Sequence, residues 1–447
     1  MLNITEKKLE NSTVELTINV PVDLVEEAYR RAFEKIRNKV TIDGFRKGKA
    51  PIPLVEAKFR EEADREAAEM LAKDMSLEAI KEKNLSPITF PRFSFERIAR
   101  EEPFTFTAIF EVAPTVELGQ YTGISAEEPT CTITEQDVAD EIDTLREIHA
   151  ELHPKGEDAV VEKGDLATIL VCSLDGVSQD ESDPGEYKHY KIVVGKSRDE
   201  SALDNFIVGM KIGEQKKVEV RYPADYRISN LAGRTAAYDV VVEDLKTIEL
   251  PPLDDEFAKK LGYENLDDFK QKTREQLERY VADKSMGEAK SQILRTIVES
   301  SSFDIPESMV LNQMRELFQR LEERLGYQAE TLEEFASKFG LDSRSFIDKI
   351  REQARDTLKT TLAIDAIAKK ESFTVEEDAY RHAVERLAER NRISAEEMEK
   401  IITERDVKET IERGILVDRV MDFIYEKGHV KKAKPVTLKE FMRKNNE

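Results

Sequence analysis

The chain has 447 residues, of which 40% are hydrophobic and 36% charged, and its formal net charge is -23. Domains usually contain about 100–200 residues, so this length predicts roughly three domains. The acidic balance excludes a protein that coats nucleic acid over its whole surface, and the absence of any apolar run of about 18 residues excludes a membrane-spanning helix.

The N-terminal sequence predicts a small α+β domain. Apolar and polar residues alternate over residues 14–20, which is typical of a half-buried strand. Asp23 and Glu26 predict a capping box for the helix that follows, and another helix is predicted over residues 53–83. Two further strands are predicted, one over residues 88–98 and one in the alternating segment PFTFTAIFEVAP. Strand, helices and two strands in this order are typical of an α+β fold.

A short basic loop, GFRKGKAP, lies between the two predicted helices. Gly44 and Gly48 permit backbone angles that are closed to other residues, and Pro51 favours an extended exit into the next helix. Exposed basic side chains on so constrained a loop would suit phosphate oxygens. The candidate binding residues are Gly44, Phe45, Arg46, Lys47, Gly48, Lys49 and Pro51.

Two other interpretations of this loop differ in how well they fit its sequence. A Walker phosphate loop requires four residues between its glycines and then Lys-Ser or Lys-Thr, whereas this segment has three residues and then Lys-Ala, so the Walker motif is excluded. A solvated basic turn without a partner is compatible with the charge pattern alone.

The longer segment GFRKGKAPIPLVEAKF resembles the ribosome-docking signature of the bacterial trigger factor family. The resemblance extends over nearly the whole chain. It implies that the loop binds the ribosome near the exit of the nascent-chain tunnel, where it would contact ribosomal protein and rRNA. It also implies that unfolded nascent polypeptides are the other partners.

The middle of the chain predicts a small antiparallel β domain. Several alternating segments, DLATILVCSLDG, EYKHYKIVV, KKVEVRY and AAYDVVVEDLKTIEL, are separated by turns. A connector over residues 116–159, with a helix predicted at residues 137–152, precedes them. The segments VGMKIGEQKKVEVRYPADY and NLAGRTAAYDVVVEDL resemble the FK506-binding class of prolyl isomerases, which predicts such a domain over residues 160–248.

Prolyl isomerisation requires no acid, base or nucleophile. Resonance opposes rotation about the peptide bond by about 18–20 kcal/mol, and an apolar pocket favours the twisted, less conjugated amide. The residues that line the pocket therefore perform the catalysis. The resemblance places the following candidates there: Val171, Leu203, Ile207, Tyr226 and Tyr238.

Several positions depart from the family's pocket pattern. Leu170 and Val171 replace an Asp-Phe pair, and ESALDNF replaces a hydrophobic-Pro-Gly-Phe-Glu segment. Glu200 thereby places a charge at or beside a wall that should be apolar, and the flap segment SQDESDPGEYKHY is strongly acidic. We therefore expect weakened isomerase activity, and a β domain that only extends the scaffold stays open as an alternative.

The remaining sequence predicts a helical domain over residues 249–447. Leucine-, isoleucine- and phenylalanine-rich stripes recur at helical spacing, Pro306 suits the beginning of a helix, and Ser394 with Glu397 predicts a capping box. No heptad pattern is sustained, so a long coiled coil is not expected. The resemblance implies that these helices form the cradle of a chaperone.

The cysteines and histidines predict no metal or redox site. Cys131 and Cys172 lack CxxC spacing, which indicates reduced thiols, and the five histidines form no HExxH motif. The sequence MLNITEKKLE lacks the layout of a signal peptide, so a cytoplasmic protein is expected. No nucleotide-binding motif is visible, and no cofactor or membrane partner is predicted.

Together these features predict a multidomain α+β protein, and the resemblance implies that residues 1–115 form a ribosome-binding domain. The function that the resemblance implies is that of a ribosome-associated, ATP-independent chaperone that holds newly synthesised polypeptides open and assists their folding and export. Prolyl isomerase activity is implied by the family. The alternatives are a protein that is primarily a prolyl isomerase and an RNA-binding scaffold.

Overall fold

The computed structural model describes residues 2–95, 97–174, 186–197, 202–224, 226 and 231–446. The chain forms two compact units. The first unit consists of Met1–Pro129 and Ser285–Ala433, and the second of Thr130–Lys284 and Lys434–Glu447. Both units combine helices with antiparallel strands, which confirms the predicted multidomain α+β class.

The elements are numbered in chain order. The helices are α1 (Val22–Lys39), α2 (Ile52–Lys58), α3 (Arg60–Glu82), α4 (Glu135–Ile148), α5 (Asp255–Lys260), α6 (Leu266–Ser300), α7 (Glu307–Leu325), α8 (Leu332–Lys338), α9 (Ser343–Lys370), α10 (Glu377–Asn391), α11 (Ala395–Glu404), α12 (Lys408–Glu426) and α13 (Leu438–Asn446). The strands are β1 (Asn3–Lys8), β2 (Thr13–Val20), β3 (Arg92–Ser94), β4 (Phe104–Glu111), β5 (Thr115–Glu117), β6 (Ser125–Glu128), β7 (Glu151–Pro154), β8 (Leu166–Ser173), β9 (Lys188–Val193), β10 (Gln215–Arg221), β11 (Thr235–Glu249), β12 (Ser302–Asp304) and β13 (His429–Lys432).

The N-terminal part of the first unit is an antiparallel sheet covered by helices. Its strands follow the order β1-β2-β4-β3. Alternate residues of β2 and β4 are buried, as the sequence pattern predicts, and α1 buries a stripe at spacings of three and four residues. The contact face of α3 consists mostly of alanines. Tyr29 of α1 donates a hydrogen bond to Asp64 of α3 at 2.6 Å, and burial together with this bond raises the pKa of Tyr29.

Three predicted features of this domain differ from the structure. Helix α1 begins at Val22, directly after the extended Pro21, so Asp23 cannot cap it and the predicted capping box is wrong. The carboxylate of Glu26 instead accepts hydrogen bonds from Arg100, which lower the pKa of Glu26. The helix predicted over residues 53–83 is divided at Phe59, whose ψ of 32° accompanies a φ of -127°. The strand predicted over residues 88–98 is confined to β3.

Polar contacts connect this domain to the helical part of the first unit. The backbone N–H of Ser12 donates to the Asp304 carboxylate at 2.8 Å, and the Ser12 hydroxyl donates to the Asp304 carbonyl at 2.7 Å. The hydroxyl of Ser308 donates to Glu111. Strand β5 pairs with β12, and β6 pairs in parallel with β13.

The helical part of the first unit contains several separate apolar cores. One is formed by the C-terminal half of α6 with α9 and α12, another by α7 with α9, and a third by α10 with α11. Ser394 and Glu397 form the predicted capping box at the start of α11. None of the described helices is both long and apolar enough to cross a membrane.

The second unit contains a five-stranded antiparallel sheet. Its order is β10-β11-β8-β9, and β7 pairs with the end of β11. Helix α4 ends at Ile148 rather than at the predicted residue 152, because Glu151–Pro154 joins the sheet. The sheet therefore begins before residue 160, within the segment predicted to be a connector. A second core of this unit involves α4, α5, α6 and α13.

Candidate functional sites

The basic loop between α1 and α2 is built from two consecutive tight turns. In the first turn the N–H of Phe45 donates to the carbonyl of Ile42 at 3.0 Å, and in the second the N–H of Lys49 donates to the carbonyl of Arg46 at 2.9 Å. Gly44 and Gly48 occupy the third position of each turn with φ of 85° and 80°. This position of a type II turn requires positive φ, which explains both glycines.

Buried residues anchor the loop at both ends. Ile42 and Ala50 are 4% and 5% exposed, and Pro51 begins the approach to α2 with a φ of -60°. Between these anchors the ring of Phe45 is 40% exposed. Anchored ends and hydrogen-bonded turns hold the intervening side chains on a defined backbone, so little ordering would be required when they bind a partner.

The basic side chains of the loop are free to interact outside the chain. Arg46, Lys47 and Lys49 are exposed. Within the described residues, none of them has a hydrogen bond or an ion pair to another side chain. By contrast, Arg31 of α1 pairs with Asp74 of α3 at 3.3 Å. The loop is thus an unneutralised positive site beside an exposed aromatic ring.

The candidate pocket residues of the second unit lie together in one apolar cluster. Three of them are buried within this cluster: Val171 of β8, Tyr238 of β11, and Ile207, which precedes β10. The other two, Leu203 and Tyr226, are partly buried and pack against the cluster. Pairing of β8 with β11 places Val171 beside Val240. The five residues come from separate segments of the chain, and the sheet brings them together on one face.

Tyr222 belongs to the same cluster and was missed by the sequence analysis. Its hydroxyl lies 3.0 Å from the hydroxyl of Tyr238, and its ring centroid lies 4.7 Å from that of Tyr226. The available signal was the alternation of Val218, Val220 and Tyr222 along and just beyond β10, which places all three on the core face. Three tyrosines therefore line this part of the cluster.

Asp204 directly follows the candidate Leu203, and its carboxylate is engaged in a neighbouring turn. The residue is 4% exposed, and its carboxylate accepts hydrogen bonds from the backbone N–H groups of Gly195, at 2.9 Å, and Ser197, at 3.2 Å. It stabilises the turn after β9, where Gly195 has a φ of 75°. Glu200, the charge predicted at or beside the pocket wall, lies outside the described residues, as do residues 178–185 of the acidic flap segment.

The opposite face of the same sheet carries a polar cluster. Asp239 follows Tyr238 along β11, and its carboxylate accepts hydrogen bonds from Tyr187, at 2.8 Å, and Gln215. The hydrogen bond to Asp239 raises the pKa of Tyr187. The polar contacts of Asp239 thus lie on the face of the sheet opposite to the apolar cluster that holds the isomerase candidates.

Exposed apolar side chains occur on helices of the first unit and in the loop between α8 and α9. Five of them are between 36% and 49% exposed: Leu311, Leu325, Phe339, Leu341 and Ile401. Phe339 packs against Phe335, with ring centroids 4.7 Å apart, so its ring is held in place although one side faces solvent. Fixed apolar surface of this kind can bind apolar polypeptide segments weakly and reversibly.

A groove of about 810 Å³ lies between α10 and α12. Phe373 and Phe423 form an edge-to-face pair in it, with centroids 5.4 Å apart. Charged side chains, including Glu389 and Asp418, line the rest of the groove. The groove thus offers both aromatic and charged contacts within one concave surface.

Known protein families match three successive parts of the chain. Residues 2–145 match the model described as bacterial trigger factor protein, residues 158–243 match FKBP-type peptidyl-prolyl cis-trans isomerase, and residues 265–426 match the trigger factor C-terminus. The matches follow the chain order that the resemblance predicts.

Comparison over the full chain also identifies trigger factors as relatives. The trigger factor of Halothermothrix orenii is 31% identical over 428 residues, which cover 95% of this chain and 99% of the relative. That of Halalkalibacterium halodurans is 32% identical over 424 residues, covering 94% and 97%. A solved structure titled "Promiscuous Substrate Recognition in Folding and Assembly Activities of the Trigger Factor Chaperone" covers 95% of this chain and 99% of its own, with a TM-score of 0.54 and 22% identity. At this identity the structural likeness concerns the fold alone.

Proposed function

The chain belongs to the bacterial trigger factor family of ribosome-associated chaperones with an FK506-binding-type domain, and we propose that it docks on the ribosome through the loop at residues 44–51. The observation that carries this proposal is the loop itself. In a chain of net charge -23, Arg46, Lys47 and Lys49 stand unpaired on two hydrogen-bonded turns beside the exposed Phe45.

The chemistry of the loop fits a mixed partner of protein and RNA. Arg46 and Lys47 suit rRNA phosphates, and the ring of Phe45 suits an apolar depression on a ribosomal protein. Docking near the tunnel exit would place the chaperone where nascent chains emerge. This interpretation implies a cytoplasmic protein that is partly ribosome-bound.

Clients are proposed to bind the exposed apolar residues of α7, of α11 and of the loop between α8 and α9 in the first unit. Such contacts hold a segment only while it is unfolded, because folding buries the same apolar side chains within the client. Release would then require no ATP, since the client's own folding competes with the chaperone. Segments held open in this way stay competent for folding and for export.

The isomerase-type domain is proposed to be a weak catalyst. Tyr222, Tyr226 and Tyr238 retain aromatic surface for a bound proline, but Val171 and Leu203 replace two aromatic walls of the family pattern. Aliphatic side chains present less apolar surface to the twisted amide. A role as primarily a prolyl isomerase is therefore not favoured, and neither is a role as an RNA-binding scaffold.

Removal of the isomerase-type domain should leave the holding activity in place. The termini of its sheet suit this deletion, because Glu151 of β7 and Glu249 of β11 are direct register partners. A short glycine-serine linker can therefore replace residues 151–249. Arg146 donates to the carbonyl of Pro251 at 2.9 Å, and both residues remain in the deleted chain.

The measurement is light scattering by an aggregating, chemically unfolded client without ATP. We expect the deletion variant to retain at least half of the suppression given by the full chain at equal concentration. The matched control replaces Leu311, Leu325 and Phe339 with serine in the full chain and should lose most suppression. A folded deletion variant without suppression would contradict the proposed division of labour.

A further inference from the structure

A second unneutralised basic surface lies near the C-terminus, in the second unit. Residues 434–444 contain four basic residues and one acidic residue, Glu440. The basic residues are all exposed: Lys434, Lys439, Arg443 and Lys444. We call these four residues the C-terminal basic surface. Nothing in the ribosome-docking or client-holding roles uses it.

The fold fixes the direction of this surface. Leu438 and Phe441 of α13 are 8% and 2% exposed and pack in the core with α4, α5 and α6. Residues three and four positions apart share a helix face, so burial of these two side chains leaves Lys439 and Arg443 outside the core. The surface therefore belongs to an anchored helix.

The positive charge of this surface is not neutralised within the chain. None of the four cations forms an ion pair with any described residue. Glu440 is the one acidic residue of the segment, and its carboxylate accepts a hydrogen bond from the backbone N–H of Thr437 at the start of α13. Lys439 and Arg443 stand four residues apart, where like charges repel each other, and a bound anion would relieve that repulsion.

The composition of the surface indicates the kind of anion. No large apolar side chain between residues 434 and 444 is among the exposed ones, so the apolar contacts that hold an unfolded client are not offered here. The apolar face of α13 is buried in the core, so it cannot enter a lipid bilayer. Phe441 is buried too, which excludes stacking on bases.

We propose that the C-terminal basic surface binds the phosphate backbone of RNA without reading its sequence. Closely spaced phosphates match four unpaired cations on one short segment. On the ribosome the RNA would be rRNA, and only this identification of the RNA rests on the proposed function. Binding should be weak and strongly salt-dependent, because it depends on counterion release and because the rest of the chain is acidic.

The test uses the full chain with Phe45, Arg46, Lys47 and Lys49 replaced by alanine, so that no basic side chain of the docking loop contributes. Fluorescence anisotropy would follow binding of a labelled 20-nucleotide oligouridine over a range of salt concentrations. Replacing all four cations with glutamine should weaken binding at least tenfold at low salt. It should also lower the slope of log affinity against log salt by about 0.7 for each lost phosphate contact.

A matched variant controls for net charge. Lys259, Lys260, Lys270 and Arg279 are also three lysines and one arginine, exposed and in the second unit, but they stand among acidic residues. Their replacement with glutamine should leave most of the binding, and a variant with Lys434, Lys439 and Lys444 changed to arginine should bind as before.

Three results would overturn the proposal. One is an unchanged affinity for oligouridine in the variant that has all four cations replaced by glutamine. Another is an equal loss of affinity in the matched variant. The third is equal affinity for a 20-residue polyglutamate peptide and for the RNA, because the surface would then recognise acidic polypeptide. None of these results bears on docking through the loop, which is tested with intact ribosomes.

Discussion

Replacement of both Val171 and Leu203 by phenylalanine should raise the prolyl isomerase rate of this chain at least tenfold. We expect the natural chain to be about a hundredfold slower than a trigger factor with both aromatic walls, because a loss of about 3 kcal/mol in transition-state stabilisation costs two factors of ten. Val171 is 7% exposed and Leu203 is partly buried, and both contact the cluster that holds Tyr238.

The measurement is the isomerisation rate of a short Xaa-Pro peptide, followed directly by NMR exchange. Overpacking at Val171 could cost about 1–3 kcal/mol of stability, so Val242→Phe serves as a control of equal size on the same sheet. Val242 is four residues from Tyr238 along β11, or about 13 Å. The control should lose stability without gaining rate. A natural rate equal to that of an intact-pocket relative would refute the proposed erosion.

Replacement of Phe45, Arg46 and Lys47 by alanine should reduce ribosome affinity at least a hundredfold. Each charge-assisted hydrogen bond contributes about 1.5–3 kcal/mol, and a loss of about 2.8 kcal/mol weakens binding a hundredfold. The side chains are exposed, so the unfolding free energy should change by less than about 0.5 kcal/mol. Co-sedimentation with vacant ribosomes over a titration measures the affinity.

The N-terminal domain offers a matched control for the loop variant. Phe90, Arg97 and Lys81 are likewise a phenylalanine, an arginine and a lysine, and all three are exposed, Phe90 at 96%. Their joint replacement by alanine should leave sedimentation unchanged. Unaltered co-sedimentation of the loop variant would refute docking through the loop. A large loss of its thermal stability would instead favour a structural role for the loop.

The sequence predicted elements whose signal is local. Strand β2 alternates cleanly and is confirmed, and so is the capping box at Ser394, because both patterns lie within one element. The positive φ of Gly44 and Gly48 was also foreseeable, since few other residues tolerate it. The family and the fold class followed from long, specific segments.

Features that depend on distant residues could not be predicted. Strand β1 has little alternation of its own and exists through its pairing with β2. Strand β7 likewise requires β11, which is why a helix was predicted to continue to residue 152. The hydrogen bonds that the Asp204 carboxylate accepts from Gly195 and Ser197 also leave no local pattern in the sequence, because they join residues nine and seven positions apart.

The most direct test of the central claim is protease protection of a nascent chain on stalled ribosomes, with no ATP present. If the loop docks the chaperone on the ribosome, the natural chain protects an unfolded nascent segment outside the tunnel. The variant with Phe45, Arg46 and Lys47 changed to alanine should give no protection at the same concentration. Equal protection by both proteins would show that docking through this loop does not deliver the chaperone to its clients.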